Sequence, residues 1–187
     1  MLLCDKDIRK LCSGDSPMIS PFSETVSGGG TISFGITSAG YDLRMGPAVD
    51  VFNNALGLVV TPKLFSDPEY CKKIFVRLRE LADGTPVRIP VGGYILARSL
   101  EYVRMPRHLK GRVVGKSTYA RSGIIVNCTP IEPGWEGIIT LEISNSCPCP
   151  AEVIVGEGIA QLEFELLTGE PEVDYAQKKG VYQITKV

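Results

Sequence analysis

The stretch Ile138-Ile139-Thr140-Leu141-Glu142-Ile143 decides how the chain is read. It is too short for a stable helix and rich in β-branched residues, so it reads as a strand. Side chains alternate along a strand, which puts Thr140 and Glu142 together on one face. A carboxylate amid apolar neighbours costs free energy unless it is paired or put to use. The plain reading is the exposed face of an edge strand, since Glu152, Glu157, Glu163 and Glu165 also lie in β-type runs.

Working outward, the same signature recurs at Thr31–Ile36, Leu58–Thr61, Pro86–Ile89, Tyr94–Ala97, Gly111–Val114, Ile124–Cys128, Ala151–Val155 and Ile159–Leu166. Short runs separated by Gly and Pro predict a mainly β chain, a barrel or jelly roll. One or two short helices accompany it. Asp5–Cys12 has apolar Ile8, Leu11 and Cys12 on one face and Asp5 as its N-cap. Asp67–Asp83 holds a second, although Ile74–Leu78 reads equally well as a strand. Ser13–Gly30 reads as a loop with Gly28-Gly29-Gly30 at its tip. Residues 1–187 are expected to form a single domain, with 174–187 a polar C-terminal tail.

Composition narrows the function. Hydrophobic residues make up 44% and charged residues 22%, ordinary globular values, and the net charge is -1. A nucleic-acid-binding domain carries a clear basic excess, so any polyanionic partner is expected to be small and met by a few placed cations. The opening Met-Leu-Leu-Cys-Asp-Lys-Asp lacks the basic-then-apolar pattern of a leader. No apolar run approaches the ~20 residues of a membrane helix. These features predict a cytoplasmic protein whose six cysteines are reduced thiols. Cys147-Pro148-Cys149 is one residue tighter than a zinc knuckle, and His108 is the single histidine. Zinc-dependent nucleobase deaminases carry His-x-Glu followed by Pro-Cys-x-x-Cys, and neither pattern occurs. No metal ligand is therefore expected on the chain.

The densest segment is Gly115-Lys116-Ser117-Thr118-Tyr119-Ala120-Arg121-Ser122-Gly123. Counted from Gly111, Gly-Lys-Ser falls one residue short of the Walker spacing, and the interior reads as a strand, which excludes a P-loop. Lys116 and Arg121 supply charge, and Ser117 and Thr118 supply hydroxyls, a set suited to an anion. The plain reading is a capped helical turn with two solvated cations. Gly40-Tyr41-Asp42-Leu43-Arg44 reads as a hairpin with an Asp42–Arg44 pair, and Trp135 as a core or interface anchor.

Together these segments resemble the dCTP deaminases of the dUTPase-like superfamily. Ala39–Arg44 is similar to the first motif shared by dUTPases and dCTP deaminases, and Gly115–Arg121 to the second, in its Gly-Lys-Ser-Thr-Tyr-Ala-Arg form. Ile124–Thr129, Pro130–Gly137, Thr140-Leu141-Glu142, Gly158-Ile159-Ala160-Gln161 and Tyr175 follow at matching spacing. The resemblance implies a distorted β-barrel or jelly roll, a homotrimer with sites at subunit interfaces, and hydrolytic deamination of dCTP to dUTP and ammonia without zinc. Glu142 would be the general acid and base, with Ser117 and Arg121 nearest the chemistry. Lys116, Thr118, Tyr119 and Ala120 would complete the triphosphate segment, and Thr129, Trp135, Thr140, Leu141, Gln161 and Tyr175 would border the rest of the nucleotide. Magnesium would arrive on the substrate triphosphate, and dTTP would inhibit. The competing implications are a dUTPase, a bifunctional deaminase–pyrophosphatase, or a non-catalytic nucleotide-binding trimer.

Three features depart from the family pattern. The tail Gly180-Val181-Tyr182-Gln183-Ile184-Thr185 has Val181 for a lysine and Thr185 for a glutamine, which leaves closure over phosphate weaker or to Lys178, Lys179 or Lys186. Glu132 stands where pyrophosphate-releasing relatives carry Asp, which argues against dUTP hydrolysis. Asp67–Asp83 matches the family poorly.

Overall fold

The computed structural model describes residues 1–53, 57 and 59–178. Its strands are β1 (Ile19–Ser20), β2 (Val26–Gly28), β3 (Thr31–Thr37), β4 (Gly40–Phe52), β5 (Phe75–Leu78), β6 (Pro86–Ile89), β7 (Tyr94–Arg104), β8 (Leu109–Gly115), β9 (Ile124–Asn127), β10 (Glu136–Asn145), β11 (Ala151–Ile154) and β12 (Gly158–Leu166). Three short helices, α1 (Asp5–Leu11), α2 (Pro68–Ile74) and α3 (Ser117–Ala120), and a 3-10 turn at Pro62–Leu64 connect them. Among the described residues, ten strands join in one sheet, and β6 pairs with β11 in a separate ribbon.

Alternation builds the core. Along β7, Ile95, Ala97, Ser99, Glu101 and Val103 turn inward, and Tyr94, Leu96, Arg98, Leu100, Tyr102 and Arg104 turn outward. On β10, Ile139, Leu141 and Ile143 are buried in the same core, which leaves Ile138, Thr140, Glu142 and Ser144 on the outer face.

β4 makes the sheet curl. Its first half pairs with β3 and β12, and its second half with β7 and β5. The β4–β7 register slips between Met45 and Val49, across Gly46-Pro47-Ala48, and Pro47 has no N–H to give to a ladder. A Cβ on Gly46 would lie 3.0 Å from the carbonyl oxygens of Arg98 and Ser99, so a side chain there would require the β7 backbone to give by a few tenths of an ångström. β8 pairs with β12 and returns toward β9, where a Cβ on Gly115 would lie 4.0 Å from the Val126 nitrogen. The result is a distorted barrel, as the sequence predicts.

A charged pair lies at the turn of β4. Glu101 is fully buried; its Oε1 accepts from Arg44 Nε at 2.7 Å and its Oε2 from the Arg44 backbone N–H at 2.9 Å. The Arg44 guanidinium also stacks on Phe34, 4.8 Å from the ring centroid. Burial holds the Glu101 carboxyl above the usual carboxylate range, against the pull of Arg44.

Several expectations are corrected. Asp42 and Arg44 do not pair in a hairpin. They lie in the long β4, and each takes a partner distant in sequence, Lys116 for Asp42 and Glu101 for Arg44. Cys4 rather than Asp5 occupies the N-cap of α1, and Asp5 pairs with Arg9 one turn on. The Ser13–Gly30 loop contains β1 and β2, which find partners in β7 and β3. Asp67–Asp83 holds both candidates in series: Asp67 caps α2 by accepting from the Glu69 N–H, and β5 follows at once. Residues 59–61 of the expected strand Leu58–Thr61 are not in a strand, since Val59 and Val60 pair with no neighbouring strand, and Leu58 lies outside the described residues. No helix of the described residues is long and apolar enough to cross a membrane.

Glu101→Gln removes one half of the buried pair and strands the Arg44 charge. Such a loss typically costs about 3–5 kcal/mol. Urea unfolding should therefore show a clear drop in midpoint for Glu101→Gln, much of it recovered in the double variant Arg44→Met/Glu101→Leu.

Candidate active site

The outer face of β10 presents Glu142 directly opposite Asn127 on β9 and Leu96 on β7. Asn127 Nδ2 donates to Glu142 Oε2 at 2.6 Å. This bond holds Oε2, and the Glu142 side chain is only partly buried. Thr140 stands beside it, exposed and opposite Arg98, whereas the Leu141 side chain points into the core. Tyr94, opposite Ser144, has its phenol raised by burial, with the Glu142 charge adding to the shift.

Cys128 follows Asn127 and points its thiol at the Thr140 carbonyl, 3.5 Å away. Burial, reinforced by the Glu142 charge, pushes the thiol up to about 12. The exposed Thr129 begins the loop to β10. Within that loop Trp135 rests half-buried against the core, and its carbonyl accepts from the Met105 N–H at 2.8 Å. The start of the tail docks on the same loop. Tyr175 N–H donates to the Pro133 carbonyl at 2.9 Å, and the buried Asp174 lies 3.3 Å from Arg107 Nη1. Gly134, at φ 77°, makes room: a Cβ there would come within 2.8 Å of Asp174 Cγ. Trp135 and Tyr175, far apart in sequence, thus share one surface. Residues 179–187, including Lys179, Val181, Thr185 and Lys186, lie outside the described residues.

A second cluster gathers around Asp42. Lys116, whose side chain is largely buried, places Nζ on Asp42 Oδ2 and 3.2 Å from Ser33 Oγ. Gln161 stands opposite Asp42 in the β4–β12 ladder and donates to Asp42 Oδ1 at 3.1 Å and to Thr37 Oγ1 at 3.2 Å. Lys116 and Gln161 are therefore brought together, with Asp42 between them, and the lysine charge is already met within the chain. From Lys116 the backbone enters α3, where Ser117, Thr118, Ala120 and Arg121 are exposed. Tyr119 turns the other way: its ring is in the core, its hydroxyl accepts from the Ile154 N–H at 3.4 Å, and burial raises its phenol. The end of this turn is pinned by Ser146, whose N–H and hydroxyl both donate to the Gly123 carbonyl at 2.8 Å.

Sequence reading missed two members of these clusters, Asn127 and Asp42 in its true pairing. Asn127 was visible only as the polar end of the apolar run Ile124–Val126. Among the described residues, no hydrogen bond or ion pair joins Ser117 or Arg121 to Glu142. One chain thus carries an anchored carboxylate on β10 and, with no direct bond between them, a turn at α3 bearing hydroxyls and a guanidinium. The described residues include no three His, Cys, Asp or Glu side chains that converge to hold a metal ion.

The curled antiparallel barrel is a fold shared with the 2'-deoxycytidine 5'-triphosphate deaminase of Agrobacterium tumefaciens. The TM-score is 0.62 at 19% identity, over 88% of this chain and 48% of that one. A family model described as dCTP deaminase-like matches residues 2–167, and the chain belongs to that family. It is 47% identical over 184 residues to a dCTP deaminase of Gemmatimonas aurantiaca, covering 98% of this chain and 95% of the relative. It is 48% identical over 180 residues to that of Chloroflexus aurantiacus, covering 96% and 91% respectively.

The thiols provide a check on the Glu142 surface. At pH 8, iodoacetamide should label exposed Cys4 and Cys149 first, since the thiolate fraction of Cys128 is on the order of a thousandfold below that of a free cysteine. Glu142→Gln removes a neighbouring negative charge and should speed Cys128 labelling, followed by peptide mass spectrometry.

Proposed function

We propose that the protein catalyses the hydrolytic deamination of dCTP to dUTP and ammonia, with Glu142 as general base and then general acid. The observation that carries this reading is the partly exposed Glu142 carboxylate, held at one oxygen by Asn127, in a chain of the dCTP deaminase-like family. Deamination requires a water made nucleophilic and an amine protonated as it leaves, and one carboxyl group can do both in turn. Glu142 takes a proton from water as its oxygen attacks C4 of the cytosine ring. The same proton then goes to the amino group, which leaves as ammonia, and the remaining hydroxyl proton passes to ring N3 as the tetrahedral centre collapses to the uracil carbonyl.

The remaining groups bind and position. Ser117 supplies a hydrogen bond to the tetrahedral centre and Arg121 a guanidinium beside it. Thr118 and the backbone at Tyr119 and Ala120 line the triphosphate path, which Lys116 holds in place through Asp42. Since Tyr119 and Leu141 turn their side chains into the core, any nucleotide contact at these two positions falls to the backbone. Thr129, Trp135, Thr140 and Tyr175 border base and sugar, and Gln161 supports the phosphate side through its bond to Asp42. Magnesium enters as part of the substrate, on the triphosphate. We infer no zinc step, because the histidine and cysteine pattern of the zinc deaminases is missing from the sequence.

Among the described residues no hydrogen bond or ion pair joins Ser117 or Arg121 to Glu142, which suits a homotrimer in which α3 of one subunit faces β10 of the next. In the same reading 174–187 closes over bound nucleotide from its anchor at Asp174, and dTTP competes as an inhibitor. The reducing cytoplasm suits six unpaired thiols.

Ammonia and pyrophosphate should be followed together with dCTP, magnesium and a zinc chelator. Ammonia without pyrophosphate is the expected result, while pyrophosphate alongside it would make the enzyme bifunctional. Glu142→Gln should lower ammonia release by at least about 10²-fold, the lower end of what positioned proton transfer contributes, without altering the circular dichroism spectrum. Undiminished turnover in that variant would remove Glu142 from the chemistry.

A further inference from the structure

Resting on the reading above, Glu142 changes protonation state twice in each turnover, which places a demand on whatever holds it. The group that holds it is Asn127, directly opposite across the β9–β10 ladder, with Nδ2 2.6 Å from Oε2. Only the NH2 end of a carboxamide can face an ionised carboxylate, since its carbonyl would repel it. We propose that Asn127 is a positioning residue of the deamination, fixing Oε2 so that Oε1 is presented to water and then to the departing amine.

A carboxamide suits both halves of the cycle. Its NH2 group donates to the carboxylate before water is activated. Once Oε1 carries the proton, Oε2 becomes the carbonyl oxygen of the acid, and the same NH2 group continues to donate to it. A cationic side chain at this position would bind the carboxylate tightly and oppose proton uptake, and a second carboxylate would favour uptake too strongly. Other groups near Glu142 impose little of either. Tyr94 on β7 and Cys128 beyond β9 are both held neutral near pH 7 by burial, and Arg98 stands two residues along β7 from Leu96, opposite Thr140. Asn127 is thus the polar neighbour that touches the carboxylate and can hold Oε2 in both protonation states of Glu142.

A cross-strand pair of this kind also steadies a hairpin, so the test must separate positioning from stability. Ammonia release from dCTP with magnesium would be measured from pH 5 to 9 for the full-length wild type, Asn127→Ala, Asn127→Asp and Glu142→Gln, with a melting curve for each. For Asn127→Ala we expect kcat to fall by about ten- to a hundredfold, the value of a hydrogen bond to a charged group, with KM for dCTP little changed. The acid limb of its pH profile should move to higher pH, because a donor to the ionised form has been lost, and Asn127→Asp should move it further. An unchanged acid limb would overturn the proposal, whether the rates stay at the wild-type level or fall equally at every pH with a lowered melting temperature. Full activity of Glu142→Gln would instead remove the reading on which the proposal rests, a result recognisable without either Asn127 variant.

Discussion

The structure depends on a carboxylate that no solvent reaches. Glu101 uses both oxygens on Arg44, one on the guanidinium and one on a backbone N–H at the point where β4 leaves β7 for β12. A buried N–H left unmade there would cost about 1–3 kcal/mol. Two residues earlier on the same inward face, Ser99 performs a related service for β10. Its hydroxyl accepts the Ile139 N–H at the bulge between Ile138 and Thr140, and donates to the Glu101 carbonyl. The two polar residues on the core side of β7 thus repair irregularities in the strands on either side. Those irregularities set which way the first motif and the outer face of β10 point.

The contrast between the two acids shows how position determines chemistry. Glu101 and Glu142 both alternate with apolar residues on central strands. Glu101 lies on the inward parity, where its charge is consumed by an arginine. Glu142 lies on the outward parity, where a neutral amide holds it without neutralising it. Asp42 follows the first pattern: it meets Lys116 and Gln161 and organises the start of α3 rather than presenting a free charge.

Much of this was legible in the sequence, because alternation and turn residues are local signals. Thr140 and Glu142 share a face as their spacing requires, and nearly every apolar run became a strand. What could not be read is pairing over distance. Asp42 and Arg44 are two residues apart and of opposite charge, so the nearest partner looked right, yet the fold brings Lys116 and Glu101 within reach and each pair is better shielded from water. Tyr119 and Leu141 sat inside motif segments, and only the twist of the turn and the parity of the strand reveal that their side chains belong to the core. Asn127 escaped notice because its importance lies in register, in standing opposite Glu142, and register is set by the β9–β10 connection rather than by either strand alone. Val59 and Val60 have strand composition but, among the described residues, pair with no strand.

One continuous strand, β4, carries Asp42 in its first half and Asp50 in its second, and Asp50 stands opposite Leu96, itself opposite Glu142. The surface that holds Lys116 and the surface that holds the carboxylate are therefore measured off along a single backbone. A residue gained or lost between 42 and 50 would reverse the parity of everything beyond it and exchange inside for outside. This stretch is a ruler, its length set by the pairings at its two ends. The excursion leading to α2, which leaves the strand after Phe52, is where insertions and deletions can accumulate without disturbing it.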